Sequence, residues 1–281
     1  MSILNNKIDF VALVSVSMAN SNGDPLNGNR PRTDYDGYGE ISDVCIKRKI
    51  RNRMQDMGKS IFVQSDDRCD DGCKSLSERA KAAVGKVKSD EEYARIACEK
   101  WLDVRSFGQV FAFKADDKSG VSVGVRGPVS VHQAISVSPV EIRSLQITKS
   151  VNGETAEKRS SDTMGTKYFV RFGLYKVKGS INVQLAQKTG FTDEDAQIIK
   201  ECLRTLFEND ASAARPEGSM EVCKLYWWQH NCAGGQYSSA KVHRALHVTL
   251  KNEAETPVCA DDYELSLDEL PGLHCEIIDG V

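Results

Sequence analysis

A long apolar run that leads into a glycine-rich loop and then an amphipathic helix constrains this chain more than any other feature. Ile8 to Met18 (IDFVALVSVSM) reads as a buried strand. It leads into NSNGDPLNGNRPRTDYDGYGE, from Asn20 to Glu40, and then into ISDVCIKRKIRNRM. At ~100° per residue, Ile46, Ile50, Met54 and Met57 share one arc while Lys47, Arg48 and Arg51 fall on the next. The apolar side can therefore dock on a core with its cations outward. Lys47 and Arg51 are four apart, a like-charge spacing that costs a few tenths of a kcal/mol in an isolated helix and that an anionic partner would offset. Ser42 and Asp43 supply the N-cap chemistry. In the loop, Asn22-Gly23, Asn27-Gly28 and Gly37 permit left-handed turns that expose backbone N–H groups, and Arg30 and Arg32 flank Pro31. Loop plus cationic helix is a place to hold a phosphate backbone, with a merely solvated basic helix as the competing reading.

The 281 residues, 40% of them hydrophobic, support a substantial core. No uncharged apolar run reaches membrane-spanning length, and MSILNNKIDF lacks a secretory pattern. Nine cysteines, an odd and scattered set, fit reduced thiols in a cytoplasm better than a disulfide framework. The expectation is a cytoplasmic protein with no membrane contact. The net charge of −3 argues against a simple nucleic-acid binder until it is divided: residues 251–281 hold one Lys against nine Asp and Glu, −8, which leaves +5 for residues 1–250. That acidic segment is either a solvated face or the complement of a basic surface on another copy.

Further along, the expected elements are a strand near Ile61 to Gln64 and a helix from Leu76 to Trp101. Val121 to Val125 alternate. Val129 to Ser138 form a strand whose Ser130, His132, Ala134, Ser136 and Ser138 make a half-exposed polar face. Val140 to Phe172, with Asn152-Gly153 as a turn and Lys149, Lys158, Arg159 and Lys167 as cations, reads as a basic β-hairpin projecting from the sheet. Ile181 to Leu185 looks like a strand, a capped helix begins near Thr192, and Glu221 to His230 is another strand. No linker divides the chain, so the expectation is one domain over 1–281, with a helical insertion at about 65–120, the hairpin at 142–168 and an acidic segment at 251–281. Antiparallel strands with helices between them suggest an α+β, ferredoxin-like core, the class that includes the RNA-recognition motif.

NSNGDPLNGNRPRTD with ISDVCIKRKIRNRM, RGPVSVHQAISVSPVEI and SSDTMGTKYFVRFGLY resemble, in that order, the backbone subunit of the CRISPR Cascade surveillance complex, the seventh Cas family, in its type I-C form. The resemblance covers roughly residues 8 to 250. It implies a modified RNA-recognition fold with a thumb hairpin. It also implies copies that polymerise in a helical filament along a guide crRNA and present it to target DNA. The implied partners include guide-processing, large and small Cascade subunits, with cleavage left to a separate recruited nuclease-helicase. By that resemblance the phosphate-binding helix matches Ser42, Lys47, Arg48 and Arg51, and the palm loop matches Asn20, Asn22, Gly23, Arg30 and Arg32. The thumb matches the stretch from Lys149 to Lys167, with Met164 as an apolar wedge against a base. His132, Gln133 and Ser138, on or beside the polar-faced strand, would contact sugar or base edges. Ordinary core packing is the competing role for Met164, and a satisfied surface histidine the competing role for His132. A protein that accepts any guide should hold phosphates, sugars and base faces and leave the pairing edges free.

The competing function is a metal-dependent nuclease that uses Asp24, Asp34, Asp36 and Asp43, as related type III subunits cut RNA from a loop carboxylate. Asp24 in a turn and Asp43 at a helix cap already have structural roles. The expectation is therefore no catalytic residue, no metal and no cofactor. Cys69 and Cys73 have zinc-like spacing on one side only, and free thiols in a loop are the simpler account. Adjacent Trp227 and Trp228 point to opposite faces of a strand, one into the core and the other toward a subunit contact.

Overall fold

The computed structural model describes residues 2–85, 87, 89–113, 121–148, 164–252 and 255–281. The chain opens with β1 (Ile8–Ala19), the two-residue strands β2 (Gly23–Asp24) and β3 (Arg30–Pro31), β4 (Tyr38–Ile41) and helix α1 (Asp43–Asp56). Three helices follow, α2 (Leu76–Val84), α3 (Asp90–Lys100) and α4 (Leu102–Phe107), and then β5 (Gly108–Phe113) and β6 (Val121–Arg126). Next come β7 (Val129–Val131), β8 (Ala134–Pro139), β9 (Ile142–Thr148) and the long β10 (Met164–Ile181). The remainder is α5 (Val183–Thr189), α6 (Asp193–Arg204), β11 (Met220–Gln229), α7 (Ser239–Arg244), β12 (Leu246–Leu250), β13 (Tyr263–Leu267) and β14 (Cys275–Asp279).

A large antiparallel sheet in a mixed α/β arrangement dominates, in the order β14-β11-β1-β10-β8-β4, with β7 and β9 also paired to β10. β1 is central and covered on both faces, which is why its sequence runs apolar instead of alternating. Phe10, Ala12, Val14 and Val16 face Ile46, Ile50 and Met54 of α1 and Ile199 and Leu203 of α6. Val11 and Leu13 face the other way, with Tyr226 and Trp228, under Val242 and Leu246. Fully burying each such side chain stabilises by about 1.5–3 kcal/mol. Trp227 and Trp228 do point to opposite faces, but both are buried, one in each core cluster. The expected subunit contact through one of them therefore gives way to internal packing.

Four expected elements change. Ile61 to Gln64 is not a strand. The Phe62 and Val63 N–H groups donate instead to the two oxygens of the buried Asp103 carboxylate, at 2.6 and 3.1 Å. The helix expected over 76–101 is two helices: α2 ends at Gly85 (φ 69°), and Ser89 caps α3 by accepting from Glu92 N–H at 3.2 Å. The strand expected at Ile181 to Leu185 is the end of β10 and a helix start, where Asn182 Oδ1 accepts from Leu185 N–H at 2.9 Å. Finally, the polar face of Val129 to Ser138 changes phase. His132 and Gln133 lie outside the ladder between β7 and β8, so Val129 and Val131 are buried and then Ala134, Ser136 and Ser138 are. A shift of one residue flips every later side chain. The buried serines are satisfied: Ser136 Oγ accepts from Gly39 N–H at 2.8 Å, and Ser138 Oγ lies 2.6 Å from Tyr263 Oη.

In and flanking the region expected as an insertion, Phe62, Tyr93, Trp101, Phe111 and Val123 form their own core. Arg51–Asp103 at 2.8 Å and Arg105–Asp195 at 2.7 Å join it to α1 and α6. The acidic C-terminal stretch pairs partly within the chain, through Lys200–Glu276 (2.7 Å) and Lys224–Asp279 (2.6 Å). Among the described residues, no helix is long and apolar enough to cross a membrane.

Candidate nucleic-acid groove

The glycine-rich loop is built to a fixed shape. Asp24 Oδ1 accepts from Leu26 N–H at 3.2 Å and from Arg32 at 3.3 Å, so it caps the turn and ties its two arms. Gly28 (φ 57°) and Asn29 (φ 60°) are successive left-handed residues, a conformation Gly adopts freely and Asn tolerates. Gly23 has no room for a Cβ, which would lie 2.0 Å from Asn29 Oδ1. Asn20 Nδ2 donates to Asn29 O at 2.7 Å, and its N–H donates to Ala214 O at 2.9 Å. Asn22 joins the loop to α1: its Oδ1 accepts from Ser42 N–H at 2.9 Å, while Ser42 Oγ caps the helix through Cys45 N–H at 3.2 Å.

This loop and the paired strands β9 and β10 wall a groove of about 470 Å³ lined by Asn20, Gly28, Asn29, Ile147, Thr166, Lys167, Tyr168, Ala213 and Ala214. The exposed Arg30 guanidinium stacks over the Tyr168 ring at 5.2 Å, and Lys167 Nζ donates to Ala213 O. Met164, opposite Thr148 in the ladder, is 60% exposed, so core packing is not its role. A cation on an aromatic face, a lysine and an unburied methionine can contact phosphates and base faces without reading base edges. Lys149 lies outside the described residues, as do Lys158 and Arg159.

Helix α1 differs from expectation. Its cations do not point freely outward. Lys47 pairs with Asp43 at 3.0 Å and Arg48 Nη1 donates to Val63 O at 2.7 Å. Lys49 pairs with Asp210, and Arg51 binds Asp103 while stacking on Phe107 at 5.1 Å. Arg53 reaches Thr205 (3.0 Å), Asp56 (2.9 Å) and Glu208 (2.6 Å). Burial pulls the pKa of Lys49 down while Asp210 opposes it, and burial with neighbouring Arg51 lowers that of Arg48. Besides Asp43 and Asp56 of the helix itself, residues 60–107 and the turn after α6 supply carboxylates and carbonyls to a face that periodicity alone leaves to solvent.

The structure thus brings Asn20, Gly23, Arg30, Arg32 and Lys167 to one end, with Asn22 linking them to Ser42. His132 and Gln133 sit elsewhere, exposed beside Lys178. Ten residues of β10 separate Lys178 from Tyr168, about 33 Å of strand. Ser138 is buried against Tyr263, which removes it from any surface contact. Tyr168, Asn29 and Ala213–Ala214 were missed. The aromatic strand YFVRFGLY was visible in the sequence, but nothing there pairs it with Arg30.

A chain of a "CRISPR RNA-guided surveillance complex, pre-nicking" is 16% identical, covering 79% of this chain and 78% of its own, with a TM-score of 0.48. A second, of a "CRISPR RNA-guided surveillance complex", is 17% identical over 79% and 68%, with a TM-score of 0.44. The CRISPR-associated protein Cas7 of Haloferax volcanii is 25% identical over 229 residues, 75% of this chain and 67% of that protein. The family model for CRISPR-associated protein Cas7 matches residues 6–268, and the chain belongs to that family.

Proposed function

We propose that the protein is a non-catalytic backbone subunit of a type I-C Cascade complex that holds a guide crRNA in the groove between loop and hairpin. Copies polymerise along the guide and present it for pairing with target DNA in antiviral defence. One observation carries the reading: Arg30 stacked on Tyr168 at the rim of a groove that also holds Lys167. These groups favour a backbone and its base faces whatever the sequence, and affinity accumulates along a polymer. Asn20, Asn22, Gly23 and Arg32 shape the loop, Met164 offers the wedge, and Lys149 is a further RNA contact in this reading. Ser42, Lys47, Arg48 and Arg51 act chiefly by holding α1 beneath the loop, with Lys47, on a half-buried i,i+4 pair, the one nearest to a direct contact role. One domain over residues 1–281, with a modified RNA-recognition core and insertions, remains the architecture of this reading.

The nuclease alternative gains nothing from the loop. Asp24 holds Leu26 and Arg32, Asp34 accepts from the Asp36 and Tyr38 N–H groups, and Asp43 pairs with Lys47. The test is to purify the protein from cells that carry a guide array and to sequence its bound nucleic acid. A uniform small RNA that ultraviolet light cross-links to the Arg30–Tyr168 region is expected. Heterogeneous RNA, or Mg²⁺-dependent cutting abolished by Asp24→Ala, would defeat the proposal.

A further inference from the structure

The sheet has a second face. Along β10, Leu174 packs into the cluster under α7 and β12, and Lys176, Lys178 and Ser180 continue on that same face at the edge of that cover. Ser130 of β7 lies directly opposite Ser180, and His132 N–H donates to Lys178 O at 2.8 Å. Arg244, exposed, ends the helix whose His243 docks here through Nε2 to Gly179 O at 3.0 Å. The rings of His132 and His243 meet edge to face at 5.9 Å.

The charge on this strip is unbalanced. Its carboxylate, Asp9, is fully buried: Oδ2 is held by Lys7 at 3.0 Å and His230 at 2.8 Å, and Oδ1 faces His243 Nε2 at 3.8 Å. Lys178 and Arg244 have no ion-pair partner among the described residues. Lys176 donates to Leu246 O at 3.4 Å, and its pKa is lowered by burial and by Lys178. Lys176 and Lys178 repel one another on this face, next to the paired Ser180 and Ser130. An anion relieves that repulsion, and Lys, Arg and Ser are the residue types that grip phosphates without reading sequence.

We propose that Lys178, Arg244 and His132, with Lys176, Ser130 and Ser180, form a second phosphodiester-binding strip for a nucleic-acid strand other than the one in the groove. The strip lies about 33 Å along β10 from Tyr168 and on the sheet face opposite α1. It is independent of the guide-holding reading, since it rests on different residues and needs no filament.

The experiment is fluorescence anisotropy of the full-length protein with a labelled random-sequence single-stranded DNA, and with RNA of the same sequence, across a salt series. Lys178→Ala with Arg244→Ala is expected to lower DNA affinity about ten-fold at low salt and to reduce the salt slope by about 1 to 2. Thermal melting should be unchanged, and Lys178→Arg should bind normally. Arg30→Ala with Lys167→Ala reports the groove separately. If that pair abolishes binding while the Lys178 and Arg244 pair changes neither affinity nor slope, the strip is refuted and the groove stands. If only the Lys178 and Arg244 pair matters, the groove reading fails and the strip stands. Cross-links from Lys178 to residues 251–281 of another copy, with none to the oligonucleotide, would also overturn the proposal in favour of an acidic protein partner.

Discussion

Two cationic regions adjoin in this protein and do opposite things with their charge. In the loop and hairpin, Arg30 rests on an aromatic ring and Lys167 on a carbonyl, both at an open groove. In α1, Lys49, Arg51 and Arg53 are buried or nearly so and matched by Asp210, Asp103, Asp56 and Glu208. Density of basic residues therefore does not distinguish a ligand surface from a scaffold. What distinguishes them is whether the rest of the fold supplies the counter-charge. A buried pair is expensive to break because the survivor stays desolvated, whereas an exposed cation is free to exchange water for a phosphate.

The sharpest way to break this contrast is Asp103→Ala. It strands Arg51 and leaves the Phe62 and Val63 N–H groups unpaired, so urea unfolding should show a loss of about 3–5 kcal/mol. A loss below about 1 kcal/mol would return α1 to the class of solvated helices. Next in size, Arg30→Ala with Lys167→Ala should weaken RNA binding by about ten-fold and flatten its salt slope by about 1 to 2, with stability unchanged within about 0.5 kcal/mol. Equal binding by wild type and variant would show that the groove's cations are ornamental.

Acid should separate the regions too. Burial raises the Asp56 pKa, but its bonds to Arg68 and Arg53 outweigh that and hold it below the ordinary aspartate value. A carboxylate with a depressed folded pKa stabilises above its unfolded pKa, so this contribution is present above about pH 4 and fades as pH falls further. Asp56→Asn should flatten the pH dependence of stability there, and an unchanged profile would deny the link. The smallest effect is expected from Lys47→Ala, about 0.3–0.5 kcal/mol for an i,i+4 pair, with a salt slope reduced by no more than about 1.

Much of this was legible in the residues. IDFVALVSVSM reads as a buried strand, a capped helix is expected near Thr192, and the loop's Asn-Gly steps point to left-handed turns such as Gly28; the structure has all three. The rest depended on contacts across long stretches of sequence. Asp103 replaces a strand at 61–64 and neutralises Arg51, and nothing near either segment signals it. The phase of Ser136 and Ser138 hinged on two residues, His132 and Gln133, leaving the ladder. Alternation reports period and is silent about such a slip. Arg30 and Tyr168 form the rim of the groove from positions far apart in the chain, so neither looked paired.

β10 runs for 18 residues, about 60 Å, from the hairpin past the centre of the sheet to the strip around Lys178. Because it pairs with β1 from Val170 to Ile181 and with β9 from Met164 to Val170, it behaves as a ruler engraved on both sides. Any single-residue insertion between Val170 and Lys178 would change the distance between the two ends by little. It would turn everything beyond the insertion over, exchanging the residues offered to solvent for those offered to the core, so the strand's parity is more tightly constrained than its length.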